Sequence, residues 1–351
     1  MLGKDAFAMN TTFLDACSKK EPLHTPVWFM RQAGRYLPSY RAMKANRSVM
    51  EIAKDPTLAS QVVVDAVKAL DVDAGIIFAD IMLPLEGMGV EFKIEENVGP
   101  VVAHPIRTPD DVSSLRDLSP EEDVGYVFDG IDETLQKLDD SVPLIGFSGA
   151  PFTLAGYMIE GRPSRDLEKT KQMMYRDPET WHRLMGALTK MVVAYLAVQV
   201  SHGVDAVQLF DSWVGCLSPS DYQKYVLEYT KTIMRSLGGR VPRIHFCANS
   251  SSLLEQFIET GPDVLSVDWR LPISEAWKRS KGRAGIQGNL DPVLALAGGE
   301  SMRREVGSIL EQSRGHLGHV FSLGHGVLRE TPPENLSGIV KTVHATTRLR
   351  A

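Results

Sequence analysis

Cysteine is scarce in this chain: three in 351 residues, Cys17, Cys216 and Cys247, odd in number and far apart. That excludes a disulfide framework and fits a reducing compartment. No run of about 18 apolar residues occurs, the richest stretch, Met191 to Val200, being short and amphipathic, so no membrane span is expected. The opening MLGKDAFAMN lacks the apolar region of a secretory signal, and a cytoplasmic location is expected. Basic residues are outnumbered, 38 Lys and Arg against 44 Asp and Glu for a net charge of −6, with no basic arm or tail. Nucleic acid is thereby excluded as the main partner. Two motifs are missing as well. Arg-Gln-Ala-Gly-Arg follows the first apolar run where a doubly wound nucleotide fold would carry a glycine-rich phosphate turn. Ser212 lacks the Gly-x-Ser-x-Gly elbow of a nucleophile, so its hydroxyl is read as a hydrogen-bonding group.

What the chain does have is ample core, 43% hydrophobic against 23% charged residues. Eight short apolar runs end in polar or glycine residues: Val27–Met30, Ala74–Phe78, Leu144–Phe147, Ala206–Phe210, Ile244–Phe246, Val264–Val267, Ala284–Gln287 and Val320–Leu323. None alternates polar with apolar, so each is expected to be buried on both faces, as in a parallel sheet. Helical segments lie between most of them. Asp55-Pro56, Asp177-Pro178 and Ser218-Pro219 each set a capping side chain before a first-turn proline. Gly238-Gly239, Gly261 and Gly282 are expected helix stops. Eightfold alternation over this length predicts one (β/α)₈ TIM barrel spanning 1–351, with its active-site cleft at the C-terminal ends of the strands. Residues 87–108 read as an excursion after the second strand, not as a second domain.

One acid-free segment stands out. Between Pro22 and Met50 the chain has Arg31, Arg35, Arg41, Lys44 and Arg47 and no Asp or Glu. Arg41, Lys44 and Arg47 fit an ordinary solvated helix face. Arg31 and Arg35 follow a buried run and flank Gly34, and two desolvated guanidinium forks make a receptor for an acidic ligand. The other strand ends supply Asp80 in apolar company, Asp211-Ser212, Asp268-Trp269 and His325 between two glycines. A buried carboxylate such as Asp80 needs a partner, either a neighbouring Arg or ligand N–H groups and developing positive charge. Tyr157 is equally compatible with a core position. His245-x-Cys247 offers two zinc ligands, but no third cysteine falls at the seventh or eighth strand, so no metal is expected.

These residues resemble the uroporphyrinogen decarboxylase family. The stretch from Pro26 through Arg31-Gln32-Ala33-Gly34-Arg35 to Pro38 is similar to its first signature, and Gly146 to Leu154 to its second. Segments around Asp80, Asp211-Ser212, Gly288–Pro292 and Leu323–Gly326 follow in family order. The resemblance implies a cofactor-independent cytoplasmic lyase of haem biosynthesis, a homodimer, which removes four acetate carboxyls from uroporphyrinogen III to give coproporphyrinogen III. It implies that Arg31 and Arg35 grip substrate carboxylates from a loop that includes Gln32, Ala33 and Gly34. Asp80 would receive the pyrrole N–H groups, with Phe147, Tyr157, Ser212 and His325 completing the pocket. The electron sink would be a pyrrole protonated at the acetate-bearing carbon, the proton coming from Arg31, Arg35 or His325. The competing readings are a zinc-dependent methyl transferase of the same superfamily and a porphyrin-binding scaffold without turnover.

Overall fold

The computed structural model describes residues 12–348 except 97 and 250; the ends of the expected domain, 1–11 and 349–351, lie outside these. Its centre is a curled parallel sheet of seven strands: β1 (Gly75–Ile76), β4 (Leu144–Gly149), β5 (Ala206–Asp211), β6 (Arg243–Cys247), β7 (Val264–Ser266), β8 (Gly285–Leu290) and β9 (His319–Leu323), neighbours in that order. Every residue of these strands is buried except Phe210 and Arg243, which are partly so, as the unbroken apolar runs require. Between β1 and β4 the excursion forms an antiparallel hairpin, β2 (Phe92–Glu95) and β3 (Gly99–Val102).

Seven of the eight expected runs are strands. The first is not: Val27 makes a single parallel bridge to Phe321 of β9, so a closed eight-strand barrel is not formed as a ladder. The reasons are local. Pro26 has no N–H to give, and the Val27 N–H goes to the Asp73 carboxylate at 2.7 Å instead of to a backbone carbonyl. Met30 is then followed by Arg31 at φ 62°, which turns the chain away. The segment nevertheless touches both sheet edges. Phe321 donates to Pro26 O at 2.8 Å, and Asp73 N–H donates to Val27 O at 2.9 Å.

Inside the curl, side chains of β5, β7 and β8 form a polar layer. Trp28 Nε1–H donates to Gln287 Oε1 at 2.9 Å, while Gln287 Nε2 donates to Gln208 at 3.0 Å and Ser266 at 2.9 Å. Buried amides so paired fix one arrangement of the interior. Helices cover the outer face. Asp55 and Asp177 cap the helices Pro56–Leu70 and Pro178–Ser201 as expected, accepting from Leu58 and Thr180 N–H. Pro178–Ser201 has the length and apolarity to cross a membrane, yet it is a core helix, burying Trp181, Leu184, Leu188, Val192 and Leu196. The helix begun at Ser218-Pro219 breaks at Val226, and a second one runs Leu227–Ser236.

Candidate active site

The strands point their C-terminal ends at one region, and its first component is the 31–35 turn. Arg31 occupies the left-handed region, at a cost of about 1 kcal/mol or more for a residue with a side chain. Surrounding bonds impose it: Gln32 N–H donates to Phe29 O at 3.0 Å, and Val327 N–H donates to Met30 O at 2.9 Å. The result lays the Arg31 side chain over Gly326, where a Cβ would stand 2.6 Å from Arg31 Cδ. Gly34 is required too, since a Cβ there would lie 2.9 Å from Arg31 O. The Gln32 side chain is buried, accepting from Phe29 N–H at 3.1 Å and donating to Ala74 O at 3.0 Å, so it anchors the turn. Tyr36 OH donates to Gln32 O from beneath. Ala33 and Arg35 are half-buried and Arg31 is exposed, so the pair of desolvated guanidinium forks expected from the sequence is not formed: the left-handed turn at Arg31 carries that residue out to the surface.

Asp80, Tyr157 and His325 meet around Arg31. Asp80 lies at the end of the β1 run, its Oδ1 accepting the Met82 N–H at 2.9 Å. It is half-buried by surface area but crowded by protein, and that desolvation raises its pKa against the opposing effects of the Met82 bond and the Arg31 charge. Burial likewise raises the Tyr157 phenol, with Asp80 adding to the rise and Arg31 opposing it. Burial first and Arg31 second bring His325 down to about 4, so its imidazole is neutral at pH 7. His325 Nδ1 accepts the Gly326 N–H at 2.8 Å, which leaves Nε2 as the protonated, donating nitrogen.

An apolar wall connects these groups. Phe147 contacts Phe210 edge-on at 5.3 Å, Phe210 contacts Phe246 at 5.7 Å, and Phe246 contacts His325 at 5.7 Å. These rings project inward from β4, β5 and β6. Tyr157, on the helix Pro151–Glu160, meets Trp213 at 5.9 Å, and Trp213 N–H donates to Thr153 Oγ1 at 3.3 Å. Ser212, one residue before Trp213, is half-buried at the end of β5.

His245 and Cys247 alternate with Phe246 and so face the helix layer, away from this wall. His245 Nδ1 pairs with Thr260 at 3.3 Å, and its Nε2 lies 3.8 Å from Asp211. Among the described residues, the three-residue group whose potential ligand atoms all lie within 4.8 Å of one another is His24, Asp73 and His344. It sits before β1, at the opposite end of the sheet from Asp80. There Asp73 is hydrogen-bonded to His24 at 2.8 Å and to His344 at 2.7 Å, tying the Val27 segment to the helix Pro333–Thr347.

Two further groups escape sequence reasoning. Glu96, in the β2–β3 turn, forms an ion pair with Arg35 at 3.0 Å. No sequence pattern signals a hairpin reaching that loop. Arg270 is not singled out by the sequence either, although it directly follows the Asp268-Trp269 strand end, where a cation is the available signal.

The uroporphyrinogen decarboxylase family model matches residues 8–346. Curated relatives of that name include those of Carboxydothermus hydrogenoformans, 48% identical with 96% of each chain covered, and Geobacter sulfurreducens, 45% identical over 96% of this chain and 98% of that one. A solved methyltransferase from Methanosarcina mazei superposes with TM-score 0.83 at 19% identity, covering 97% of this chain and 99% of that one, a likeness of fold. A family match of that extent, on a chain whose cationic turn, buried carboxylate and aromatic wall share one end of a parallel sheet, leads to one assignment: the chain belongs to the uroporphyrinogen decarboxylase family.

Proposed function

We propose that Arg31, Arg35, Asp80, Tyr157, Ser212 and His325 carry out the family reaction in this chain. The protein is a carboxy-lyase of tetrapyrrole biosynthesis, a uroporphyrinogen decarboxylase. The observation that supports the residue roles best is the convergence of Arg31 with Asp80, Tyr157 and His325. A carboxylate, a guanidinium, a phenol and a neutral imidazole then meet beside an aromatic wall. That set offers acceptors to pyrrole N–H groups and donors to substrate carboxylates.

The chemistry follows from the substrate. Loss of CO₂ from a –CH₂–COO⁻ group leaves an electron pair that must be accommodated. Protonation of the ring carbon next to the acetate-bearing one supplies the sink, because positive charge then develops at the acetate-bearing carbon. Protonating the acetate-bearing carbon itself, the position implied by the resemblance, makes that carbon tetrahedral and closes this route. The C–COO⁻ bond breaks, its pair forms an exocyclic C=CH₂, and CO₂ leaves. A proton then adds to the methylene and the ring proton departs, so each acetate becomes a methyl group with net uptake of one proton. Asp80 stabilises the pyrrolium cation. His325, neutral at pH 7 before substrate binds, offers its Nε2–H to a carboxylate, and Arg31, Arg35 and His325 all stay candidates for delivering the ring proton. The eight-strand barrel closed by the 27–30 segment, the homodimer and the cytoplasmic location belong to this same reading. Anaerobic incubation with uroporphyrinogen III, oxidation, and counting of carboxyls on the porphyrins tests it. Products with seven down to four carboxyls are expected, and recovery of the octacarboxylate alone refutes it.

A further inference from the structure

One cation at the strand ends, Arg270, has no part in the proposed reaction. Arg270 follows β7 in Asp268-Trp269-Arg270, next to the residue that packs against the turn carrying His325. Its guanidinium stacks on the Trp269 ring with Cζ 4.0 Å from the centroid, and its Nη1 donates to Asp268 Oδ2 at 3.3 Å. Both supports are themselves fixed. Asp268 is buried, its Oδ1 accepts the Arg270 N–H at 2.9 Å, its Oδ2 accepts the Asn249 N–H, and its carbonyl accepts from Asn289 Nδ2 at 3.0 Å. Trp269 rests on the turn that carries His325: a Cβ at Gly324 would stand 2.5 Å from Trp269 N and 3.0 Å from its ring.

The 268–270 turn and the 324–326 turn thus pack as one block, and Arg31 packs on its other end at Gly326. Both guanidinium charges are felt by His325. A guanidinium has five N–H groups in a planar fork. Here one face is covered by indole and one N–H is held by Asp268, while the side chain stays 47% exposed. It is pre-organised and still has donors to offer.

The geometry points to Arg270 as a third carboxylate-binding residue, which holds a propionate of the tetrapyrrole across His325 from Arg31. The assignment rests on the proposed function, because it needs an octacarboxylate in the site. Propionate is the choice because the propionates, unlike the acetates, survive every step, so a pre-organised guanidinium on this turn can keep its carboxylate throughout. Its recognition is therefore shared by substrate, intermediates and product.

The test compares wild type with Arg270→Gln and Arg270→Lys on uroporphyrinogen III, with coproporphyrinogen III as product inhibitor, under anaerobic conditions and with thermal melts of each protein. Expected for Arg270→Gln is a roughly tenfold rise in KM and a parallel rise in the product Ki, with kcat within about twofold and an unchanged melt; that factor corresponds to one charge-assisted hydrogen bond. Arg270→Lys restores part of the binding. An unchanged KM in an active background overturns the inference and leaves the assigned reaction standing. A raised KM with unchanged Ki overturns the propionate assignment, and a lowered melt with equal losses in kcat and kcat/KM shows Arg270 to be only structural. Absence of turnover in the wild type removes the proposed function and this inference with it.

Discussion

Replacing Asp80 by Asn tests the central electrostatic claim. Asparagine has nearly the same shape and keeps an oxygen for the Met82 N–H, so the turn after β1 is retained. What is lost is one negative charge in a desolvated place with Arg31 as its neighbouring countercharge. A unit charge about 4 Å from a developing cation contributes about 4 kcal/mol at an effective dielectric near 20. Measured losses of a single transition-state electrostatic partner run at about 2.7–4 kcal/mol, or two to three orders of magnitude in kcat. Arg31 offsets part of the field, so the lower end, about a hundredfold, is expected. The assay is anaerobic turnover of uroporphyrinogen III followed by chromatography of the oxidised products, with circular dichroism and a denaturant titration to verify the fold. KM should change far less than kcat, because a neutral amide still accepts pyrrole N–H bonds. Turnover within fivefold of wild type would falsify the assignment of Asp80 to charge stabilisation, and a large KM effect with unchanged kcat would make it only a binding group.

Gly326→Ala should cut activity more than tenfold while lowering stability little, because the new methyl pushes the middle of the Arg31 side chain off its seat; full activity would show that the placement of Arg31 is immaterial. Glu96→Gln releases Arg35 from a pair whose acid is 65% exposed. Exposed pairs contribute under about 1 kcal/mol, so KM should fall about twofold at low salt with no difference at high salt; a rise in KM would show instead that Glu96 holds Arg35 in its binding position. Acid should destabilise the protein in two stages read by urea titration. His319 is buried and held down to about 4 against an ordinary 6.5, so the unfolded chain takes the proton first and stability falls as pH drops from 6.5 towards 4, by about 3 kcal/mol. The hydrogen bonds from His24 and His344 hold the Asp73 carboxyl below its ordinary range in spite of its burial. Its contribution is complete above that range and is lost as pH falls through the lower folded value, giving the second stage. Stability flat from pH 6.5 to 4.5 contradicts the first stage, and an Asp73→Asn variant with an unaltered acid limb contradicts the second.

How much of this was legible depended on whether the signal was local. Seven strands could be read because a strand buried on both faces must be apolar throughout, and β4, β5, β6 and β8 overran their predicted ends by one to three residues, where the ladder continues past the apolar run. The first run failed because its hydrogen-bonding fate depends on Asp73, a residue 46 positions away. Arg31 and Asp80 stood out because a charge among apolar residues is anomalous in one dimension. Gln32 sits between Arg31 and Arg35 in the sequence, and only the fold reveals that its amide is spent on Phe29 and Ala74. The Trp28–Gln287–Gln208 layer had no sequence signature at all, since each member lies in an ordinary strand and only their meeting inside the curl gives them meaning.

An acidic chain that captures an eightfold carboxylate poses an electrostatic question, and range answers it. At physiological salt the screening length is about 8 Å, so the net charge of −6 is felt only weakly by an incoming ligand, which responds to the charges nearest its path. In the reading proposed above, those nearest charges are Arg31, Arg35 and Arg270, with Arg35 partly masked by Glu96 and Arg270 by Asp268. Masking has a use. Attraction to a cationic mouth grows with ligand charge, so the octacarboxylate is held more firmly than the tetracarboxylate, and the partners of Arg35 and Arg270 weaken the hold on both. Binding strength then falls as acetates are removed, and the finished product, with half the charge, leaves.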